Sequence, residues 1–121
     1  MPHVGPFTNN SSSFCVTDKL VASINTRTQN NHLVFQVNLC DLDMNKLKTI
    51  LLGKCNGNIE IRTDGKDQFF ITTGRDKLHI VLPNGKQRTI NLKANSDSLA
   101  VLNNRTIAVG DSRYDIELVT W

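Results

Sequence analysis

The chain has 121 residues and a mass of 13.5 kDa, which suits one hydrophobic core and leaves little room for two. Hydrophobic residues make up 39% of it and charged residues 21%, a composition that excludes a collagen-like chain, a long coiled coil and full disorder. The net charge of +3 is mild for a dedicated nucleic-acid-binding protein, and no apolar run approaches the roughly 20 residues of a membrane-spanning helix.

Residues 1–13 are rich in Pro, Gly, Asn and Ser and contain little that could be buried. This composition predicts a flexible N-terminal arm, followed by a single domain over residues 14–121. The start of the chain lacks the basic and apolar regions of a secretory signal. We therefore expect an intracellular protein with no membrane contact.

Two segments after the arm alternate between apolar and polar residues. Leu20, Ala22 and Ile24 recur at every second position, and a stricter alternating set runs from Leu33 to Leu39. A period of two is typical of a half-buried β-strand. The sequence thus predicts two strands joined by a polar loop.

The next segment, residues 41–52, has the pattern of a short α-helix. Asp41 or Asp43 could cap its N-terminus, Leu47 and Leu51 are four residues apart, and Gly53 could end it. The sequence therefore predicts a helix of about three turns here.

The rest of the chain reads as a series of hairpins. Asp64-Gly65 and Asn84-Gly85 are strong signals for two-residue turns, and turn signals recur every eight to twelve residues. The predicted fold is therefore an all-β antiparallel β-sandwich, or a flattened barrel, of about nine strands with one helix. Its predicted core includes Leu47, Leu51, Ile116 and Leu118.

Three cysteines and three histidines are scattered without the spacing of a metal site. No nucleotide-binding, hydrolase or metalloprotease motif occurs. Cys40 ends an apolar strand and is interpreted as a buried structural thiol. We expect no catalytic residue, metal or cofactor.

Apolar residues also occupy strand positions that a single sandwich sheet would present to solvent. A sheet that is apolar on both faces is normally covered on both. We therefore predict a binding or self-assembly module whose partner is a second copy or another protein. The candidate interface residues are Val34, Phe70, Val81, Val119 and Trp121. The alternative is that a second sheet of the same chain covers this face.

Two further functions stay open on the sequence. Basic residues in neighbouring strands could follow a nucleic-acid backbone, and a barrel of this size could enclose a small ligand. The candidate nucleic-acid-binding residues are Arg62, Lys77, His79, Arg88 and Lys93. In its Asn- and Thr-rich, motif-poor character the chain resembles many viral structural and accessory proteins.

Overall fold

The computed structural model describes residues 14–55, 59–111 and 116–121, and the predicted arm, residues 1–13, lies outside them. Within these ranges the regular structure is entirely β, which confirms the predicted class, although there are eleven strands and no helix. The strands are β1 (Phe14–Val16), β2 (Leu20–Gln29), β3 (His32–Asp41), β4 (Lys46–Lys54), β5 (Glu60–Thr63), β6 (Phe69–Thr72), β7 (Arg75–Val81), β8 (Gln87–Ser96), β9 (Ser98–Asn103), β10 (Thr106–Gly110) and β11 (Ile116–Thr120).

These strands form three antiparallel sheets in which chain neighbours pair with each other. Sheet A has the order β1-β2-β3-β4, sheet B the order β5-β6-β7-β8, and sheet C the order β11-β10-β9. Pairing of sequential strands needs only short connections, which explains the strong turn signals in the sequence. Gly65 and Gly85 adopt positive φ angles of +81° and +87°. The predicted two-residue turns are wrong, however, because the strands are joined by five-residue loops over 64–68 and 82–86, in which Asp64 and Asn84 keep negative φ angles.

Sheet B lies between the other two sheets. In β6, Phe69 and Ile71 pack against residues of sheet A, whereas Phe70 between them packs against residues of sheet C. Side chains alternate between the two faces of a strand, so consecutive apolar residues enter two different cores. The architecture is therefore a three-layered β-sandwich with two hydrophobic cores that share sheet B.

The edges of the layers are joined by specific hydrogen bonds. The Cys15 thiol at the edge of sheet A donates to the carbonyl of Ile61 in sheet B over 3.2 Å. Burial raises the pKa of this thiol to about 11, against a small opposing effect of Arg62, so the proton it donates is retained at neutral pH. On the other side, the Leu99 amide of sheet C donates to a Glu60 carboxylate oxygen of sheet B.

The predicted helix over residues 41–52 is wrong, because this segment forms a tight turn followed by β4. The Asp41 carboxylate accepts the backbone N–H groups of Asp43 and Asn45 at 3.0 and 2.9 Å, and Met44 adopts a φ of +68°. A carboxylate that accepts nearby backbone N–H groups stabilises a helix start or an Asx-type turn equally well. The capping signal was real, but it belongs to the β3–β4 turn.

Strand alternation also moves two residues of the predicted core to the surface. Ile50 is buried between sheets A and B, but Leu47 and Leu51 lie on the opposite face of β4 and remain 58% and 52% exposed. Gly53 does not end a helix. It sits beside an irregularity in the β3–β4 pairing with a φ of +108°, a conformation that only glycine adopts readily.

In β11 the predicted inward and outward faces are exchanged. Val119 is 6% exposed and packs in the core opposite Ile107, whereas Leu118 is 66% and Ile116 72% exposed. The register of β10 and β11 dictates this outcome. A one-residue shift in phase moves every side chain of a strand to the other face, and here both faces carry apolar residues.

The Asp64 carboxylate makes the stability of the β5–β6 hairpin depend on pH. Burial acts to raise its pKa, but hydrogen bonds from Lys66, Asp67 and Gln68 outweigh burial and lower it. A lowered folded-state pKa contributes stability above the unfolded-state value of about 3.9, and this contribution is lost as the pH falls through the folded-state value.

We therefore expect Asp64→Asn to lower the urea midpoint at pH 7 and to leave a smaller further loss on acidification below about pH 4 than the wild type shows. Asp76→Asn is the matched control, since the Asp76 side chain hydrogen-bonds to no described residue. Equal acid sensitivity of the wild type and Asp64→Asn would contradict this account.

Candidate functional site

The solvent-facing side of sheet C is an apolar surface with no charged side chain at its strand positions. We call it the outer C surface. Its members alternate with the core residues of β9, β10 and β11: Ser98, Ala100, Leu102, Thr106, Ala108, Gly110, Ile116, Leu118 and Thr120. A contiguous exposed apolar face is uncommon on a monomeric protein and marks an interaction site.

Small residues make one half of this surface a shallow hollow. Ala100 and Ala108 are paired across β9 and β10, Gly110 follows on β10, and with their neighbours they line a depression of about 260 Å³. Ile116 borders the depression, and Leu118 extends the same row of β11. The surface thus consists of a ridge of large side chains beside a hollow of small ones.

Charged residues near sheet C lie off the outer C surface. Glu117 points to the opposite face of β11, where its carboxylate accepts the Lys93 amide at 2.9 Å. Asp111 lies at the end of the depression, and Arg105 in the β9–β10 turn hydrogen-bonds to the Trp121 carbonyl. A partner could therefore cover the strand positions without burying an unpaired charge, which would be costly.

The solvent-facing side of sheet A is also partly apolar but carries positive charge. Leu47 and Leu51 are exposed there on β4, and Val16 is exposed on β1 at the opposite edge of the sheet. Arg27 and Lys46 occupy positions on the same face, paired with Val34 and Cys40. Two copies of this face would meet with like charges, so it is less suited to self-association than the outer C surface.

Four of the five residues predicted as an interface are buried, and Trp121 is partly exposed. Phe70 and Val119 belong to the core between sheets B and C, and Val81 belongs to the core between sheets A and B. Val34 is buried in β3, and Trp121 retains intermediate exposure with its ring 5.5 Å from that of Phe70. Sheets of the same chain therefore cover Phe70, Val81 and Val119, whereas Val34 pairs with Arg27 on the side of sheet A that faces away from sheet B.

The predicted basic residues do not form one face. Arg62 and Arg88 occupy positions on the side of sheet B that faces sheet C, in register with Phe70 and Ile80. Lys77 and His79 are on the side that faces sheet A, and His79 is 6% exposed. The structure brings Lys77 and His79 together and separates them from the two arginines.

Interior space for a small ligand is taken up by the two cores. The largest fully buried side chains include Phe35 and Phe69 between sheets A and B, and Phe70 and Ile107 between sheets B and C. The cavities described here open to solvent at the surface. This packing gives the ligand-binding barrel no support.

Sequence reasoning missed the residues of the outer C surface because it assigned Ile116 and Leu118 to the core. The available signal was the run Ile116-Glu-Leu-Val119, in which apolar residues occupy both strand faces. Ala108 and Gly110 were a second indication of an interaction surface, since small residues in a strand leave space for a neighbouring surface.

Within the described ranges no helix has the length and apolarity needed to cross a bilayer, and no group of three or more His, Cys, Asp or Glu residues could hold a metal ion. All three cysteines are described, and none forms a disulfide. Comparisons with protein-family models, curated proteins and solved structures find no match for this chain, so any functional inference has to come from its own geometry.

Proposed function

We propose that this protein is a non-enzymatic self-association module in which the outer C surfaces of two copies pack face to face. The observation that carries the proposal is the ridge of Ile116 and Leu118 beside the hollow of Ala100, Ala108 and Gly110. A two-fold axis would place the ridge of each copy over the hollow of the other. Such a self-complementary contact is the commonest form of homodimer.

The chemistry of the surface favours a second copy as the occupant. No strand position of the outer C surface carries a charge, so two copies meet without like-charge repulsion at these positions, and Asp111 lies at the end of the depression. Two β-sheets stack about 10 Å apart with interdigitated side chains, which matches large residues on one strand facing small residues on the others. Three free cysteines suit a reducing compartment, and we place this association inside the cell.

The size of the surface indicates a weak dimer. Leu102, Ile116 and Leu118 are each more than half exposed, and covering six such side chains contributes roughly 6–12 kcal/mol. Association costs about 4–15 kcal/mol in lost freedom. We therefore expect a concentration-dependent dimer with a Kd between about 1 µM and 1 mM.

Light scattering coupled to size exclusion tests the proposal over a concentration series. The wild type should move from 13.5 kDa towards twice that mass, and Leu118→Glu should weaken the dimer at least about 100-fold, because it buries two carboxylates in the contact. Leu51→Glu is the matched control, with a similarly exposed leucine on sheet A. It should leave the dimer unchanged.

Two results would overturn this assignment. A wild type that remains a monomer up to about 1 mM would exclude functional self-association in the expected range. Dissociation by Leu51→Glu but not by Leu118→Glu would place the contact on sheet A instead.

A further inference from the structure

A small basic cleft opens between the end of β4 and the start of β7, on the side of sheet B that faces sheet A. Its volume is about 240 Å³. We call it the basic cleft, and its lining residues are Leu52, Lys54, Thr73, Arg75, Lys77 and His79. It lies on a different face of the molecule from the outer C surface.

Among the described residues, no carboxylate lines the basic cleft. Lys54, Arg75 and Lys77 all line it, and none forms an ion pair with a described carboxylate. The Lys77 ammonium donates to the side-chain carbonyl of Asn91 over 2.8 Å, which is an uncharged acceptor. Three cations around one concavity produce a positive potential that attracts an anion.

Thr73 gives the cleft a buried polar group that lacks a partner. Its side chain is 1% exposed, and its hydroxyl makes no hydrogen bond within the described part of the chain. Buried hydroxyl groups normally have a partner, and an exception needs an explanation. Rotation about χ1 moves the hydroxyl between staggered positions and would let it donate to a ligand in the cleft.

His79 forms the inner wall of the cleft. Its ring meets the ring of Phe35 edge to face at 5.5 Å, and its Nδ1 lies 3.3 Å from the Thr89 hydroxyl. Burial, together with the positive charge of Lys77, lowers the pKa of His79 to about 4. At neutral pH the ring is uncharged and offers one N–H donor, so it adds no further repulsion to the cationic cleft.

We propose that the basic cleft binds a single oxyanion of the phosphate class, held by Lys54, Arg75 and Lys77 and by the hydroxyl of Thr73. Phosphate oxygens accept several hydrogen bonds at once, and the Arg75 guanidinium can supply two of them in parallel. The ligand would neutralise the mutual repulsion of the cations and satisfy Thr73. This binding does not depend on self-association.

The first test titrates inorganic phosphate against chloride at constant ionic strength, with binding followed by amide chemical shifts. We expect saturation with a Kd of about 1 mM and a melting temperature that rises with phosphate. Arg75→Ala combined with Lys77→Ala should weaken binding at least tenfold. Arg88→Ala combined with Lys46→Ala is the control. It removes the same charge, but Arg88 lies on the side of sheet B that faces sheet C, and Lys46 starts β4 at the opposite end from the cleft.

Thr73→Val distinguishes a built site from a diffuse basic surface. The substitution keeps the shape of the side chain and removes a hydroxyl that has no described partner, so the melting temperature without phosphate should not fall. Phosphate affinity should drop several-fold. Saturating phosphate should also raise the midpoint of the His79 ring titration, because a nearby anion favours the charged imidazolium.

The proposal fails if phosphate does not saturate, or if the Arg88 and Lys46 control loses as much affinity as the cleft variant. Unchanged phosphate affinity in Thr73→Val would exclude the hydroxyl as a ligand and overturn the site as proposed. A nucleoside monophosphate and a short single-stranded oligonucleotide are then compared with inorganic phosphate. Much tighter binding of the oligonucleotide, lost in the cleft variant, would identify a backbone phosphate as the source.

Discussion

Replacing Phe70 with alanine should lower the free energy of unfolding by about 3–5 kcal/mol. Phe70 is fully buried at the centre of the core between sheets B and C, and its ring contacts that of Trp121. The truncation removes a large apolar side chain and one member of an aromatic pair, and it leaves a cavity that the two flanking sheets cannot close. Urea denaturation monitored by circular dichroism measures the loss.

Phe70→Leu is the matched variant, because it keeps most of the volume and should cost clearly less. The same data separate a core role from an interface role. If Phe70→Ala lowered the solution mass and left the urea midpoint unchanged, the ring would contribute to an intermolecular contact and the three-layered arrangement would be wrong.

The sequence predicted the fold class because hairpin signals and strand alternation are local. Asp64-Gly65 and Asn84-Gly85 do connect paired strands, and Phe35 and Val37 do point into one core. The number of layers is not a local property. Phe69, Phe70 and Ile71 are all apolar, and such a run requires cover on both faces without indicating whether that cover comes from the same chain.

The helix was mispredicted for a different reason. The spacing of Leu47, Ile50 and Leu51 matches the apolar face of a helix, and Asp41 is a good helix-capping residue. The same sequence is equally compatible with a β-strand that has one buried and two exposed apolar residues. Pairing with β3 over the length of β4 decides the outcome. Tertiary pairing of this kind routinely overrides a short local pattern.

The candidate sites depend on that pairing even more strongly. Lys77 and His79 were identified from the sequence, yet Lys54 and Thr73 join them only because the end of β4 in sheet A lies beside the start of β7 in sheet B. A site made from two strands distant in sequence leaves no signal at fixed spacing.

Substitutions at two adjacent residues of β11 test which face of this strand points into the core. We expect a large difference in stability between the two variants. Val119→Glu should destabilise the fold by at least about 3 kcal/mol, because it places an unpaired carboxylate in the core beside Ile107. Leu118→Glu should cost about 1 kcal/mol or less when measured on dilute monomer, since the side chain already faces solvent.

Urea midpoints of the two variants, measured at the same low protein concentration, supply the comparison. Both substitutions introduce the same charge one residue apart, so only the direction of the side chain differs between them. The reversed order of stabilities would mean that Ile116 and Leu118 face the core, and the outer C surface would then lack its ridge. The expected order would show that the register of sheet C exposes Ile116 and Leu118 to solvent in the monomer. The proposed dimer would bury these two side chains.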